Sequence, residues 1–206
     1  MFDLPPPEPH FEIVVASRGM SKGLAQTEGV QFVPKGFLQI GAVQIGGQWK
    51  NVTSTTAAGE AAVFANASRT VGGFQLSLGA AYKFQTAVRG PTDSDSFEFS
   101  GSVGRKFGKL GTKVSVIYSP NDLGSARRSV YFEGGPTLDL SKTTRIFANV
   151  GHRDRIGGFD YTSFNAGLST VVAKRLTLEA RYYDTARSHL DKAYRGRAVL
   201  AARLSF

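Results

Sequence analysis

The C-terminal stretch Tyr194-Arg-Gly-Arg-Ala-Val-Leu-Ala-Ala-Arg-Leu-Ser-Phe206 alternates between two kinds of side chain. One set runs from Tyr194 through Leu200 to Phe206 and is largely apolar, whereas the other set contains three arginines. Because successive side chains of a β-strand point to opposite faces, this stretch predicts a strand with one apolar and one polar face. The segment 175–183 immediately before it shows the same alternation.

Alternation with a period of two continues through most of the chain, and no sustained helical spacing of apolar residues occurs. We predict twelve strands, at residues 10–18, 30–39, 42–50, 60–69, 73–85, 96–106, 110–119, 129–140, 145–153, 161–172, 175–186 and 194–206. Short turns alternate with longer polar loops between these strands, which is typical of outer-membrane barrels. The even number of strands places both ends of the barrel domain on the short-turn side.

The predicted fold class is all-β: a transmembrane antiparallel up-and-down β-barrel of about twelve strands, forming a single domain over residues 10–206. About eight strands enclose just enough room for side chains, and the interior widens as strands are added. Twelve strands lined by apolar side chains would enclose a void in water. We therefore expect the apolar face to point outward into lipid, with a soluble β protein as the alternative.

Composition excludes several other classes. The chain has 206 residues, with 25 Lys and Arg, 16 Asp and Glu, and no Cys. The lack of Cys excludes disulfides, Cys-ligated zinc and thiol catalysis, and no apolar run reaches the roughly 18 residues that a membrane-spanning helix needs. The basic residues are scattered over the strands instead of forming one patch, which argues against nucleic-acid binding.

Residues 1–9 form a Pro-rich leader that we expect to be extended or flexible. The first ten residues contain neither the basic n-region nor the apolar h-region of a signal peptide. We therefore expect that an export signal was removed and that the mature protein lies in the bacterial outer membrane.

Aromatic side chains on the predicted apolar face cluster near strand ends. Membrane barrels carry aromatic girdles at both interfaces. The predicted girdle residues are Phe11, Trp49, Phe74, Tyr82, Phe84, Phe107, Tyr118, Tyr182, Tyr194 and Phe206.

Pro34 and Pro136 fall inside predicted strands, where we expect a bulge or a different boundary. Arg105 falls on the apolar face, near enough to a turn to reach lipid headgroups.

The segment Arg18-Gly-Met-Ser-Lys-Gly-Leu-Ala-Gln-Thr-Glu-Gly-Val-Gln31 resembles the first-loop pattern of the TorF-like porin family of Gram-negative outer-membrane β-barrels. Shorter stretches also fit, namely Tyr118-Ser-Pro120, Asp160-Tyr-Thr162, Leu176-Thr-Leu178 and Tyr182-Tyr-Asp184. The family's usual Asp-Tyr pair before the arginine is replaced by Val15-Ala16-Ser17. The resemblance implies an outer-membrane barrel with a pore role. The terminal Phe206 resembles the signal read by the outer-membrane assembly machinery, so we predict that machinery, membrane lipid and lipopolysaccharide as partners.

If the polar face points inward, the lumen is mainly basic. The predicted pore-lining residues are Arg18, Lys35, Lys50, Lys83, Lys113, Arg145, Arg153, Arg181, Arg195, Arg197 and Arg203, with the acidic Glu98, Glu133 and Glu179. Rings of Arg and Lys attract anions, because a low-dielectric wall focuses their field. We predict a narrow passive channel that favours small anionic or polar solutes. The alternative is an occluded structural or surface-interaction barrel without transport activity, in which the inward charges pair with each other.

Signals for other chemistry are weak. The chain has three histidines, His10, His152 and His189, and none has a serine two or four residues away on its own strand face. A barrel hydrolase needs a base within hydrogen-bond reach of its nucleophile. We therefore predict no enzymatic activity, no cofactor and no metal site.

Overall fold

Twelve strands close into one antiparallel barrel in the computed structural model, which describes residues 5–90, 93–123 and 127–206. The barrel strands are β1 (Glu8–Ala16), β4 (Gln31–Ile40), β5 (Val43–Asn51), β6 (Gly59–Val71), β7 (Phe74–Thr86), β8 (Asp95–Phe107), β9 (Leu110–Ser119), β10 (Ser129–Asp139), β11 (Thr144–Arg155), β12 (Tyr161–Ala173), β13 (Leu176–Thr185) and β14 (Arg197–Ser205). Two further strands, β2 (Met20–Ser21) and β3 (Leu24–Ala25), form a separate hairpin within the first long connection. A 3-10 helix covers Lys192–Tyr194. Within the described ranges, no helix has the length and apolar character that a membrane crossing requires.

The predicted fold class is confirmed, and the predicted strand bounds differ from the observed ones by two or more residues at both ends of β1, at the ends of β6 and β11, and at the start of the last strand. Strand β1 begins at Glu8, which pairs with Gln39 of β4, so the predicted boundary at residue 10 is two residues too late. The last strand begins at Arg197 instead of residue 194, because Asp191 caps the 3-10 helix by accepting a hydrogen bond from the Ala193 N–H. Residues 1–4 of the predicted leader lie outside the described residues.

Strands β1 and β14 close the barrel by pairing in antiparallel register, from Glu12 opposite Ser205 to Ala16 opposite Ala201. The Phe206 N–H donates to the Phe11 carbonyl at 2.8 Å, just beyond that ladder. An unpaired N–H or C=O in hydrocarbon costs several kcal/mol. Closure removes both exposed sheet edges, as a membrane-embedded sheet requires.

The turn between β6 and β7 shows why the short connections can be so tight. Gly72 and Gly73 have φ values of 58° and 79°, both in the left-handed region. Two-residue hairpin turns with this geometry match the twist of the flanking strands, and glycine adopts it without a steric penalty.

The two strand prolines are accommodated without a change of register. Pro34 pairs with Ile13 of β1, whereas the β4–β5 ladder begins only at Lys35. Pro136 pairs with Thr112 of β9, and the β10–β11 ladder omits Gly135 and Pro136 while keeping the same register on either side. Each proline therefore lies where the ladder on one side is interrupted, and the bulge considered from the sequence is not observed.

The apolar side chains point away from the barrel. Leu78, Leu200 and Val114 are 72%, 64% and 56% exposed, which would be unfavourable for leucine and valine facing water. The buried interior is instead rich in small polar side chains, including Ser96, Ser119, Ser129, Ser163 and Asn165. A soluble β protein has the opposite arrangement, so the arrangement of the two faces favours a barrel surrounded by lipid.

Nine of the ten predicted girdle residues lie on the outward face near strand ends. Those at the short-turn end are Phe11, Phe74, Phe107 and Phe206, and those at the long-loop end are Trp49, Tyr82, Phe84, Tyr118 and Tyr182. Their contact with the lipid interface stays a prediction. The tenth assignment is wrong: Tyr194 is 8% exposed, stacks edge-on against the Tyr161 ring and accepts a hydrogen bond from Arg155.

The single tryptophan makes the outward orientation testable. Trp49 is outward-facing and 37% exposed. We expect brominated phospholipids to quench its fluorescence strongly after reconstitution, because the bromine atoms contact only side chains that face lipid. In the control variant Trp49→Phe/Phe64→Trp, the indole would sit inside the lumen near Lys35 and quenching should be weak. Equal quenching of the two proteins would contradict the assignment of faces.

Candidate functional site

The first long connection folds into the lumen. We call residues Met20–Ala25, which contain β2 and β3, the inward hairpin. The Lys22 side chain at its tip is only 6% exposed, and the Tyr161 hydroxyl donates to the Lys22 carbonyl at 2.6 Å. A Cβ on Gly23 would overlap the side chain of Ser163 on β12. The hairpin thus packs directly against the inner wall of the barrel.

The tip of the inward hairpin is a two-residue turn. Both of its central residues have left-handed backbones, with φ of 50° at Lys22 and 80° at Gly23. Glycine accepts this conformation freely, whereas a lysine there stores strain on the order of 1 kcal/mol. The strained lysine is the residue that carries the hairpin's charge into the lumen.

Charged side chains cross the long-loop half of the lumen in one continuous network. Lys22 Nζ lies 2.5 Å from Glu98 Oε1 and 3.6 Å from Asp122 Oδ2, and Lys83 Nζ lies 2.6 Å from Glu98 Oε2. We call the whole set the crossing network: Lys22, Lys50, Lys83, Arg153, Glu60, Glu98 and Asp122. Its side chains are 6% to 15% exposed, so the ion pairs are shielded from solvent.

Two members of the network lie in connections beyond the barrel strands. Burial lowers the pKa of the Lys22 ammonium, and the nearby Glu98 carboxylate only partly opposes this effect. Burial alone would raise the pKa of the Asp122 carboxyl, but the charges of Lys22 and Arg153 and hydrogen bonds from Ser129 and Arg153 hold that pKa below its usual value. Asp122 therefore stays ionised at neutral pH.

The short-turn half of the lumen holds a large cavity of about 1070 Å³. We call it the basic cavity, because its charged lining consists of Arg18, Lys106, Lys109, Lys142, Arg145, Arg181, Arg203, Asp139 and Glu179. The two acids are both paired, Glu179 with Arg181 at 3.0 Å and Asp139 with Lys106 at 2.5 Å. No ion pair within the described part of the chain includes Arg18, Arg145 or Arg203, so these cations are free to bind a mobile anion.

Aromatic rings also hold Arg181, the partner of Glu179, in place. The Arg181 guanidinium lies 4.4 Å from the Phe147 ring centroid and 5.4 Å from that of Tyr183. Such cation–π contacts fix a guanidinium without neutralising it. A second cavity of about 390 Å³ lies elsewhere in the lumen and is lined by Lys113 with several serines, Gln44 and Asn66.

The structure separates the predicted pore-lining residues into groups. Lys50, Lys83, Arg153 and Glu98 belong to the crossing network, whereas Arg18, Arg145, Arg181, Arg203 and Glu179 line the basic cavity. The others are inward but separate: Lys113 lines the second cavity, Lys35 lies 3.8 Å from Glu12, and Glu133 accepts hydrogen bonds from Tyr131 and Asn165.

One predicted pore-lining residue is wrongly placed, and Arg197 lies at the rim of the lumen. Arg195 follows the 3-10 helix, outside the barrel strands, and is exposed. Arg197 begins β14 on the inward face, opposite Tyr183 of β13, and its guanidinium donates to the backbone carbonyls of Arg195 and Lys192 at the long-loop rim. The 3-10 helix interrupts the alternating pattern before Arg195, so alternation does not assign the direction of this side chain.

The prediction also missed Lys22 and Asp122, which lie in long connections where alternation carries no information about direction. One local signal was available for the first of them. Gly23 follows Lys22 between Met20-Ser21 and Leu24-Ala25, and a glycine in this position is favourable for a two-residue hairpin turn. The sequence offers no comparable signal for Asp122.

The closed twelve-stranded barrel, with its apolar exterior and charged lumen, defines a transmembrane β-barrel of the porin-like class. Within that class, the chain belongs to the family described as "Bacterial protein of unknown function (Gcw_chp)", whose sequence profile matches residues 19–203. No curated protein matches the chain.

Solved structures with a similar fold are outer-membrane channels. A KdgM porin has a TM-score of 0.67 at 10% identity, with 96% of this chain and 99% of that chain covered. A NanC porin has a TM-score of 0.64 at 8% identity, with 95% and 97% covered. An outer membrane channel from Pseudomonas putida F1 has a TM-score of 0.59 at 10% identity, with 97% and 95% covered. At these identities the similarity shows a shared fold.

The crossing network predicts a measurable contribution to stability. Glu98→Gln leaves Lys22 and Lys83 buried without their shared carboxylate, and we expect the free energy of unfolding in urea to fall by about 3 kcal/mol. The matched control is Asp139→Asn, since the Lys106–Asp139 pair is 64% and 31% exposed and should contribute less than about 1 kcal/mol. Equal losses in the two variants would contradict a solvent-shielded network.

Proposed function

We propose that this protein is a narrow passive channel of the bacterial outer membrane that favours small anionic solutes. The observation that carries the proposal is the charge of the basic cavity, where seven basic side chains accompany two acidic ones. Both acids are already paired within the wall. Among the described residues, no carboxylate pairs with the remaining cations, which can exchange mobile counter-ions.

The shape of the lumen strengthens the effect of these charges. A barrel wall of low dielectric constant focuses the field of inward cations along the axis. Rings of Arg and Lys raise the local concentration of anions and lower that of cations. The arginines at positions 145, 181 and 203 come from three different strands, so they act on the cavity from separate parts of its wall.

The comparisons support an outer-membrane location and an acidic solute without establishing either for this chain. The similar structures are outer-membrane porins and channels, and the KdgM porin is also described in complex with disordered oligogalacturonate. Oligogalacturonate carries carboxylates, which are the groups that unpaired arginines bind. On the sequence resemblance, we also propose that the chain is a TorF-like porin. Its proposed partners are lipopolysaccharide on the long-loop side and the assembly machinery, which would engage the terminal strand.

The inward hairpin supports a second candidate, an occluded barrel with a structural or surface role. The crossing network spans the lumen on the long-loop side and satisfies its own charges there. A channel in which this network is the constriction conducts weakly, and a permanently sealed barrel does not conduct. The histidines favour no catalytic candidate, because His152 is exposed and its Nδ1 lies 3.0 Å from Thr162 Oγ1 at the rim.

Ion selectivity tests the channel. We expect a salt gradient across a bilayer to give a reversal potential on the anion-selective side for the wild type. The variant Arg145→Gln/Arg181→Gln/Arg203→Gln removes three positive charges from the basic cavity and should shift that potential toward the cation-selective side. The control Arg127→Gln/Arg128→Gln removes two exposed charges outside the strands and should leave it unchanged. Cation selectivity of the wild type would overturn the proposed preference.

Single-channel conductance tests the role of the hairpin. Lys22→Ala removes the cation that joins Glu98 to Asp122, so we expect the hairpin to detach and the conductance to rise several-fold. Lys192→Ala, at an exposed lysine, is the matched control and should behave like wild type. If neither the folded wild type nor the folded Lys22→Ala variant shows any single-channel conductance, the result supports the occluded barrel.

A further inference from the structure

Two arginines face away from the barrel at its short-turn end, within an otherwise apolar surface. Arg69 on β6 pairs with Leu76 of β7, and Arg105 on β8 pairs with Phe74 of β7. Their partners Leu76 and Phe74 are 42% and 40% exposed on the outward face, and both arginines are exposed beside them. The β7 strand therefore lies between two outward cations.

The spacing of these two cations suits one anionic group or two adjacent ones. The arginines are separated by two interstrand distances, which is about 10 Å across the sheet. They are offset by one pleat along the strand direction, since Leu76 and Phe74 are two residues apart. Two long side chains with this spacing can converge on the space above β7.

Aromatic rings hold one of the guanidinium groups at the surface. Arg105 lies 4.6 Å from the Phe74 ring centroid and 4.9 Å from the Phe107 ring centroid. Stacking on ring faces leaves the planar N–H edges of a guanidinium available for bidentate hydrogen bonds. Among the described residues, no ion pair includes Arg69 or Arg105, so neither has an acidic partner in the protein.

A cation on the lipid-facing surface is costly unless it reaches a counter-ion. At the opposite rim the outward face carries carboxylates instead, at Asp95, Asp154 and Asp184. The membrane-facing charge of the barrel is thus basic at the short-turn end and acidic at the long-loop end. Among the described strand residues, a lipid phosphate can therefore pair directly with cations only at the first rim.

We propose that Arg69, Arg105, Phe74 and Phe107 form a binding site for the phosphate of an anionic glycerophospholipid in the leaflet at the short-turn end. The two guanidinium groups bind the phosphate oxygens, and the phenylalanine rings contact the first part of the acyl chains. This site rests on the transmembrane placement of the barrel, and it does not depend on conduction through the lumen.

Native mass spectrometry tests the site by counting lipids that remain bound after the protein leaves the detergent micelle. The probes are dioleoyl phosphatidylglycerol and dioleoyl phosphatidylcholine, which share acyl chains and differ in net charge. We expect the wild type to retain phosphatidylglycerol preferentially. Arg69→Gln/Arg105→Gln should lose about tenfold in apparent affinity for phosphatidylglycerol and become indifferent between the two lipids.

The control is Arg127→Gln/Arg128→Gln, which removes the same charge at the other end of the molecule and should keep the preference. The variant Arg105→Lys retains the charge but loses the planar fork, so we expect it to bind phosphatidylglycerol more weakly than wild type. It also serves as the test if the double glutamine variant fails to fold.

Equal retention of the two lipids by wild type, or an unchanged preference in Arg69→Gln/Arg105→Gln, would overturn the proposed site. A lost lipid preference with intact anion selectivity would reject this site alone, whereas cation selectivity with an intact lipid preference would reject only the proposed channel.

Discussion

Backbone hydrogen bonding is the constraint on which the rest of this structure depends. A sheet surrounded by hydrocarbon has no water to satisfy its edges, so every strand needs two neighbours. The pairing of β1 with β14 meets this requirement and makes the barrel a closed cylinder. Once the cylinder is closed, the pleat assigns every strand side chain to lipid or to lumen.

Closure also encloses a space inside the barrel that must be filled by side chains or by solvent. Twelve strands enclose more space than their small inward side chains fill, and the structure deals with the two halves differently. The inward hairpin and the ion pairs of the crossing network fill the long-loop half, and their charged side chains are largely buried from solvent. The short-turn half remains a cavity of about 1070 Å³ with excess positive charge. The lumen thus combines a half filled by paired charges with an open half of excess positive charge.

The outer surface carries its own charge pattern, which is independent of the lumen. Outward arginines stand beside phenylalanines at the short-turn rim, and outward aspartates stand at the opposite rim. The same alternation that fills the lumen with polar groups therefore leaves a few charges on the lipid side, at depths where headgroups can reach them. The fold thus carries charge on two separate surfaces, the wall of the lumen and the outward face of the barrel.

The alternating pattern in the sequence was sufficient to predict the strand number, the closed barrel and the direction of most strand side chains, because the pleat is a local property of extended backbone. It failed at Tyr194 and Arg195, where a 3-10 helix interrupts the period. The alternating pattern also predicted neither the inward hairpin nor the pairing of the charged side chains. The contact between Lys22 and Glu98 joins residues 76 positions apart, and Asp122 meets Arg153 across the same space. Only closure of the barrel brings such groups within a few ångströms. The tertiary structure therefore decides which charged side chains meet in the lumen.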